Sequence, residues 1–181
     1  MPTFVALLRG VNVGKANRVP MAEFRALLSS LGYGGVVTLL NSGNAVFRAA
    51  RGTPATHSAA IAVALSRGMN VEVLVVVKSA KELTAIVAES PIRVQAADHS
   101  RLLVAFTQES RALASLHTIQ PLVAPPEQFA IGKNAAYFFC ARGMLQSQAG
   151  AALLGMAGRA ATTRNWATTL KLQALANGGD T

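Results

Sequence analysis

The stretch Gly35-Val36-Val37-Thr38-Leu39-Leu40-Asn41-Ser42-Gly43-Asn44-Ala45-Val46-Phe47-Arg48 reads as two strands, 35–40 and 45–48, joined by a hairpin turn. Its β-branched and aromatic residues suit a pleated, half-buried surface. Asn-Ser-Gly-Asn has the composition of a reversal, because Gly and Asn tolerate left-handed backbone geometry. What flanks the hairpin sets the fold. Upstream, Met21, Phe24, Leu27, Leu28 and Leu31 recur at helical spacing. Pro20 occupies the first helical position, where its missing N–H would be unpaired anyway, and Gly32 ends the helix. Earlier still, Thr3-Phe4-Val5-Ala6-Leu7-Leu8 is a buried strand, followed by a Gly-containing basic loop from Arg9 to Val19. Downstream, Thr53-Pro54 opens a second helix with Ile61, Ala64 and Leu65 inward, and Val71 to Val77 is a Val-rich strand. The order β-α-β-β-α-β is the split βαβ pattern of the ferredoxin-like fold.

The second half follows the same order less completely. Ser79 and Glu82 form a capping box for a connecting helix that carries Leu83, Ile86 and Val87 and ends before Pro91. A strand is expected over Arg101–Thr107, a short helix over Ser110–His117, and a hairpin of Gln128–Ile131 with Ala135–Ala141 around Gly132-Lys133-Asn134. A helix follows near Gln148–Met156, and Thr162-Thr163 cap a last helix from Arg164 to Ala176, where a sixth strand would otherwise stand. The expected class is therefore α+β: two tandem ferredoxin-like (βαββαβ) subdomains, the second incomplete, plus a C-terminal helix. Residues 1–78 make the first subdomain, 79–98 a connecting helix and loop, and 99–181 the second subdomain with the C-terminal helix.

With 181 residues, 51% hydrophobic and only 14% charged, the chain can bury a continuous core and is not disordered. Its net charge of +9 points to anionic partners: a small anionic ligand, or more weakly nucleic acid. Residues 1–78 hold 8 basic and 2 acidic side chains and residues 79–181 hold 9 and 6, so no basic tail exists. Cys140 is the only cysteine, which excludes an intrachain disulfide. The N-terminal apolar stretch Phe4–Leu8 lacks a basic start and is too short for a signal-peptide core. No run approaches the roughly 18 apolar residues of a membrane span. A cytoplasmic protein with no membrane partner is expected. Composition does not indicate an oligomeric state.

Three segments stand out: Leu7-Leu8-Arg9-Gly10-Val11-Asn12-Val13-Gly14 with Val19-Pro20-Met21, then Asn41-Ser42-Gly43-Asn44 with Val46-Phe47, then Thr162-Thr163-Arg164-Asn165-Trp166 with Thr169 and Lys171-Leu172. Together they resemble the bacterial domain-of-unknown-function family number 1697. The resemblance implies two ferredoxin-like subdomains and no established activity. The chain departs from the family pattern at Lys15, Asn41 and Ala167, where Gly, Gln and Asn are common.

The same segments supply the candidate site. The loop Gly10-Val11-Asn12-Val13-Gly14-Lys15-Ala16 is not a phosphate-binding P-loop: its glycines are one residue too close, and Ala16 replaces the Mg²⁺-binding hydroxyl. A strand, a Gly-containing loop and a helix N-terminus still favour anions, with Arg9, Lys15 and Arg18 nearby. The bland account is a tight connection that needs Gly for its backbone. Ser42 and Asn44 are turn residues first and polar ligands second. Arg164 falls in the expected first turn of the last helix, where the dipole opposes a cation, so a ligand or ion-pair role is expected. Trp166, Leu170 and Ala174 make that helix's apolar stripe. Arg9, Asn12, Gly14, Ser42, Asn44, Arg164 and Asn165 are the expected ligand-binding residues, converging to hold a small anionic or phosphorylated molecule.

No catalytic residue is identified, and no metal or cofactor is expected. His57, His99 and His117 lack ligand spacing, Ser42 lacks a nucleophile setting, and Cys140 reads as a buried, inert thiol. The aromatic platform of RNA-binding ferredoxin-like sheets is absent. A basic nucleic-acid-binding module and a non-enzymatic interaction protein remain the alternatives, since this architecture hosts many functions.

Overall fold

The computed structural model describes residues 1–178. The chain is α+β, with two four-stranded antiparallel sheets and, among the described residues, six α-helices. It divides into two compact units, Met1–Leu83 with Leu172–Thr181, and Thr84–Lys171.

In the first unit the elements run β1 (Thr3–Leu8), α1 (Met21–Ser30), β2 (Gly34–Leu39), β3 (Asn44–Arg48), α2 (Pro54–Met69) and β4 (Val75–Ser79). The sheet order is β2-β3-β1-β4 and every neighbouring pair is antiparallel. Phe4, Ala6 and Leu8 of β1 point to one face, where they pack with Ala45 and Phe47 of β3, Phe24 and Leu28 of α1, and Ile61 and Leu65 of α2. Phe24 and Leu28 stand four residues apart, one helical turn, and both are fully buried. Each such side chain contributes roughly 1.5–3 kcal/mol of transfer free energy. Helix α2 starts on a capping box in which Thr53 and Thr56 exchange side-chain and backbone bonds, with Pro54 in its first turn. The register of β2 against β3 jumps between Gly34 and Val37, and Gly35 sits there at φ +56. A bulge therefore bends this edge strand.

One strand boundary differs from the sequence expectation. Val71 to Leu74 precede β4, which begins at Val75. Asn70 closes α2 in a left-handed conformation and the Val71 N–H turns back to the Leu65 carbonyl at 3.2 Å. Val71 itself is buried in the core, so its apolar character serves the helix end rather than a sheet.

The second unit holds the elements between Thr84 and Lys171. Helix α3 (Ala80–Glu89) crosses the unit boundary, and its N-terminus has the expected capping box, with the Glu82 carboxylate accepting from the Ser79 N–H at 2.7 Å. Then come β5 (Leu102–Thr107), α4 (Ser110–Ser115), β6 (Gln128–Ile131), β7 (Ala136–Phe139), α5 (Gln148–Leu154) and β8 (Ala161–Asn165). The order is β6-β7-β5-β8. Leu113, Leu116, Ile119, Phe138, Ala149 and Leu153 are central to its core. The 132–134 turn is pinned from α3, because Glu89 accepts from both the backbone and side-chain N–H groups of Asn134 and from the Tyr137 hydroxyl.

The expected incomplete second subdomain is corrected here. Ala161–Asn165 is a strand, paired antiparallel with β5 from Leu103↔Asn165 to Thr107↔Ala161. The final helix, α6 (Trp166–Ala176), starts two residues later than expected. Thr162 and Thr163 act as β-branched strand residues rather than caps. The cap is Asn165, whose Oδ1 accepts from the Thr168 N–H at 2.8 Å. The buried stripe of α6 is Thr168, Thr169, Leu172 and Ala176, whereas Ala174 is exposed.

Candidate functional site

The expected site residues divide between the units. Arg9, Asn12, Gly14, Ser42 and Asn44 belong to the first, and Arg164 and Asn165 to the second.

Loop 9–19 and turn 40–43 are built as one piece around Asn12. Its Nδ2 donates to the carbonyls of Val19 (2.8 Å) and Asn41 (2.7 Å), and its Oδ1 accepts from the Val19 N–H (2.8 Å). Asn12 is left-handed at φ 58, a conformation Asn tolerates. Gly43 brings the turn onto β1: its carbonyl accepts from the Leu8 N–H at 2.9 Å. A Cβ there would lie 2.7 Å from both Leu8 Cβ and Val11 Cγ2, at φ +81. Asn44 is fully buried, and its Nδ2 donates to the Leu39 carbonyl and to Ser42 Oγ, both at 2.8 Å. Gly14 is exposed with open space around it. Arg9 is half-buried, its N–H donates to the Leu74 carbonyl, and burial lowers its guanidinium pKa from the ordinary value. Beside this construction a cavity of about 300 Å³ is lined by Asn12, Arg18, Pro20 and Asn41.

In the second unit Arg164 stands in β8 opposite Val104, so the helix dipole invoked for it does not apply. Its side chain is buried, and Nη1 donates to Thr162 Oγ1 and to the Thr163 carbonyl, both at 2.8 Å. Desolvation pushes its pKa down to about 10, still protonated at neutral pH.

A larger concavity, of about 730 Å³, lies at the opposite end of the first sheet. Thr3, Val37, Val46 and Arg48 share one sheet face by register (Thr3↔Arg48, Val37↔Val46). Arg25 and Ser29, one turn apart on α1, line the cleft as well, so it wraps the edge at the β2 bulge. The last turn of α6 adds Leu175 and Ala176. The bulge seats a cation: a Cβ on Gly35 would lie 2.7 Å from Arg48 Nη2 and 2.8 Å from Nε. The guanidinium thus lies against glycine backbone. The Arg25 carbonyl accepts from the Ser29 hydroxyl at 3.0 Å, but among the described residues neither guanidinium, of Arg25 or of Arg48, has a carboxylate or side-chain hydrogen-bond partner, and no acidic residue among them lines the cleft. The sequence reading missed both arginines; the Gly34-Gly35 pair in an otherwise β-branched strand is the signal that could have found them.

Behind that cleft, on the other sheet face, His57 packs among Phe4, Tyr33 and Phe47. Tyr33 Oη and His57 Nδ1 share a hydrogen bond of 2.8 Å. Burial lowers the imidazole pKa below its usual value, and the nearby Arg51 backbone partly opposes the shift. Nε2 makes no well-formed hydrogen bond among the described residues. Among those residues no group of three His, Cys, Asp or Glu could hold a metal ion, and no helix is long and apolar enough to cross a membrane.

A family model described as "Protein of unknown function (DUF1697)" matches residues 1–137, and the chain belongs to that family. A solved structure, of a conserved bacterial protein from Streptococcus pneumoniae, is similar over 97% of this chain and 98% of its own, with a TM-score of 0.79 and 24% identity. That likeness is one of fold. No curated protein matches the chain.

Proposed function

We propose that this member of the family is a cytoplasmic protein that binds a small anionic ligand in the cleft at the bulged edge of its first sheet. One observation carries the reading: Arg25 and Arg48 line a single cleft of about 730 Å³ in which no described residue supplies a carboxylate. Guanidinium groups are planar forks suited to carboxylate and phosphate oxygens, and charge-assisted bonds of this kind are about twice as strong as neutral ones. The Thr3 hydroxyl, which lines the same cleft, can add a neutral donor.

The architecture agrees with a ferredoxin-like reading of both units. The orders β2-β3-β1-β4 and β6-β7-β5-β8 place the first strand of each unit beside its third and fourth, as the split βαβ pattern requires. Such a scaffold carries no function of its own, so the assignment rests on the arginines.

The competing assignment is a ligand held by Arg9, Asn12, Gly14, Ser42, Asn44, Arg164 and Asn165. A thermal-shift screen against inorganic phosphate, nucleotides, sugar phosphates, carboxylic acids and short RNA separates the two. A ligand at about 100 times its dissociation constant stabilises the fold by about 2.7 kcal/mol. The expected result is a shift with small anions that Arg48→Gln and Arg25→Gln abolish and Arg9→Gln leaves intact. A shift lost only in Arg9→Gln would transfer the site to the polar loop. A response to RNA alone, falling steeply with salt, would replace the small ligand by nucleic acid.

A further inference from the structure

The chemistry of the cleft walls narrows the ligand class further, on the premise that the anion reading above holds. Its volume of about 730 Å³ lies within the roughly 300–1,000 Å³ of pockets that enclose whole organic molecules. A bare phosphate or carboxylate would leave most of it filled with water. The remaining walls are apolar in a particular place. Val46 stands two residues before Arg48 on β3 and on the same face, about 7 Å along the strand. Val37 lies opposite Val46 across the β2–β3 pair and is 42% exposed, unusual for a valine beside a core. Leu175 and Ala176 of α6 contribute further apolar wall.

We infer that the ligand is an amphiphilic organic acid: an oxyanion, phosphate or carboxylate, held at Arg25 and Arg48, joined directly to an apolar body of about ring size that rests on Val37 and Val46. The spacing matches. An oxyanion at Arg48 has its substituent over Val46 only if the apolar group begins within one or two bonds of the anion. A sugar phosphate would set hydroxyls rather than apolar surface against the two valines and so gain no burial from them, which disfavours it. Nucleotides are disfavoured for the same reason at their ribose. Arg25 and Arg48 supply the charge recognition, and the valines supply selection among anions.

The test compares matched pairs of probes by isothermal titration calorimetry at constant ionic strength: inorganic phosphate against phenyl phosphate, and acetate against benzoate. A ring that loses about 60 Å² of apolar surface should bind about tenfold tighter than its parent anion. The pair with the larger response identifies the head group as phosphate or carboxylate. Val37→Thr keeps the shape and strand preference of the residue while replacing one methyl by a hydroxyl. It should erase most of the advantage of the ring, read as the ratio of ring-bearing to parent affinity in the same variant. Equal binding of parent and ring-bearing probes, with both abolished by Arg48→Gln, would overturn this inference and leave the anion site standing. Binding by none of the four probes would overturn both. A ring advantage that survives in Val37→Thr would also refute it, since the ring would then rest elsewhere.

Discussion

Replacing Gly43 by alanine should damage the first unit more than the same change at Gly14, an exposed loop glycine. Two costs add at position 43. The residue sits at φ +81, and a left-handed conformation costs an L-residue with a Cβ roughly 1–2 kcal/mol. The new Cβ would also meet Leu8 Cβ and Val11 Cγ2, both at 2.7 Å. Both are buried residues of the core, not flexible side-chain ends, and overpacking of this kind costs about 1–3 kcal/mol. Gly14 provides the control. Its φ is +64, but a Cβ added there would meet nothing within 4 Å, so only the first cost applies. At about 3 kcal/mol for Gly43→Ala, and some 2–4 °C per kcal/mol for a chain of this length, Tm should fall by about 6–12 °C. Gly14→Ala, with the first cost alone, should lower it by about one third to two thirds as much. Urea unfolding followed by circular dichroism checks the ranking through the transition midpoints. Equal losses for the two variants would refute the claim that the 41–44 turn is locked onto β1 by close packing.

Asn12→Ala removes three hydrogen bonds that tie loop 9–19 to itself and to the turn; at about 1 kcal/mol each it should cost roughly 2–3 kcal/mol, and exchange protection of the Val19 amide should drop. His57 has a folded pKa below its unfolded value near 6.5, so the unfolded state binds the proton more readily. Its contribution to stability is complete above about pH 6.5 and is lost as pH falls through that value towards the lower folded pKa. Urea midpoints at about pH 7.5 and 5.5 should therefore differ more in the wild-type protein than in His57→Gln, and equal differences would remove His57 as the cause. Cys140 is buried and its thiol pKa is raised by burial, so Ellman's reagent should react with it only at the rate of unfolding.

The first unit was legible because its strands carry their own evidence. Phe4 to Leu8 and Ala45 to Phe47 are apolar on both faces or alternate cleanly, and Pro20, Gly32 and Thr53 punctuate the helices between them. The Thr162–Asn165 segment was not legible for a physical reason. Four polar residues run into a helix without a loop, and a Thr pair fits a strand and a cap equally well. Only its pairing with β5, some sixty positions earlier, decides the matter, and no local pattern reports that pairing. The polar loop was visible as a motif, but what Asn12 and Gly43 do there is largely to hold backbone together. The arginine cleft was missed for the opposite reason. Arg25 and Arg48 belong to different elements, and only the register jump at Gly35 makes room for the guanidinium.

The central claim is that anions bind at Arg25 and Arg48. Its most direct test is an amide chemical-shift map of the protein titrated with inorganic phosphate. The account predicts the largest changes at Ser29, Gly35, Val46 and Leu175, all suppressed in Arg48→Gln. Changes confined to residues 9–19 and 41–44, or no change at all, would contradict it.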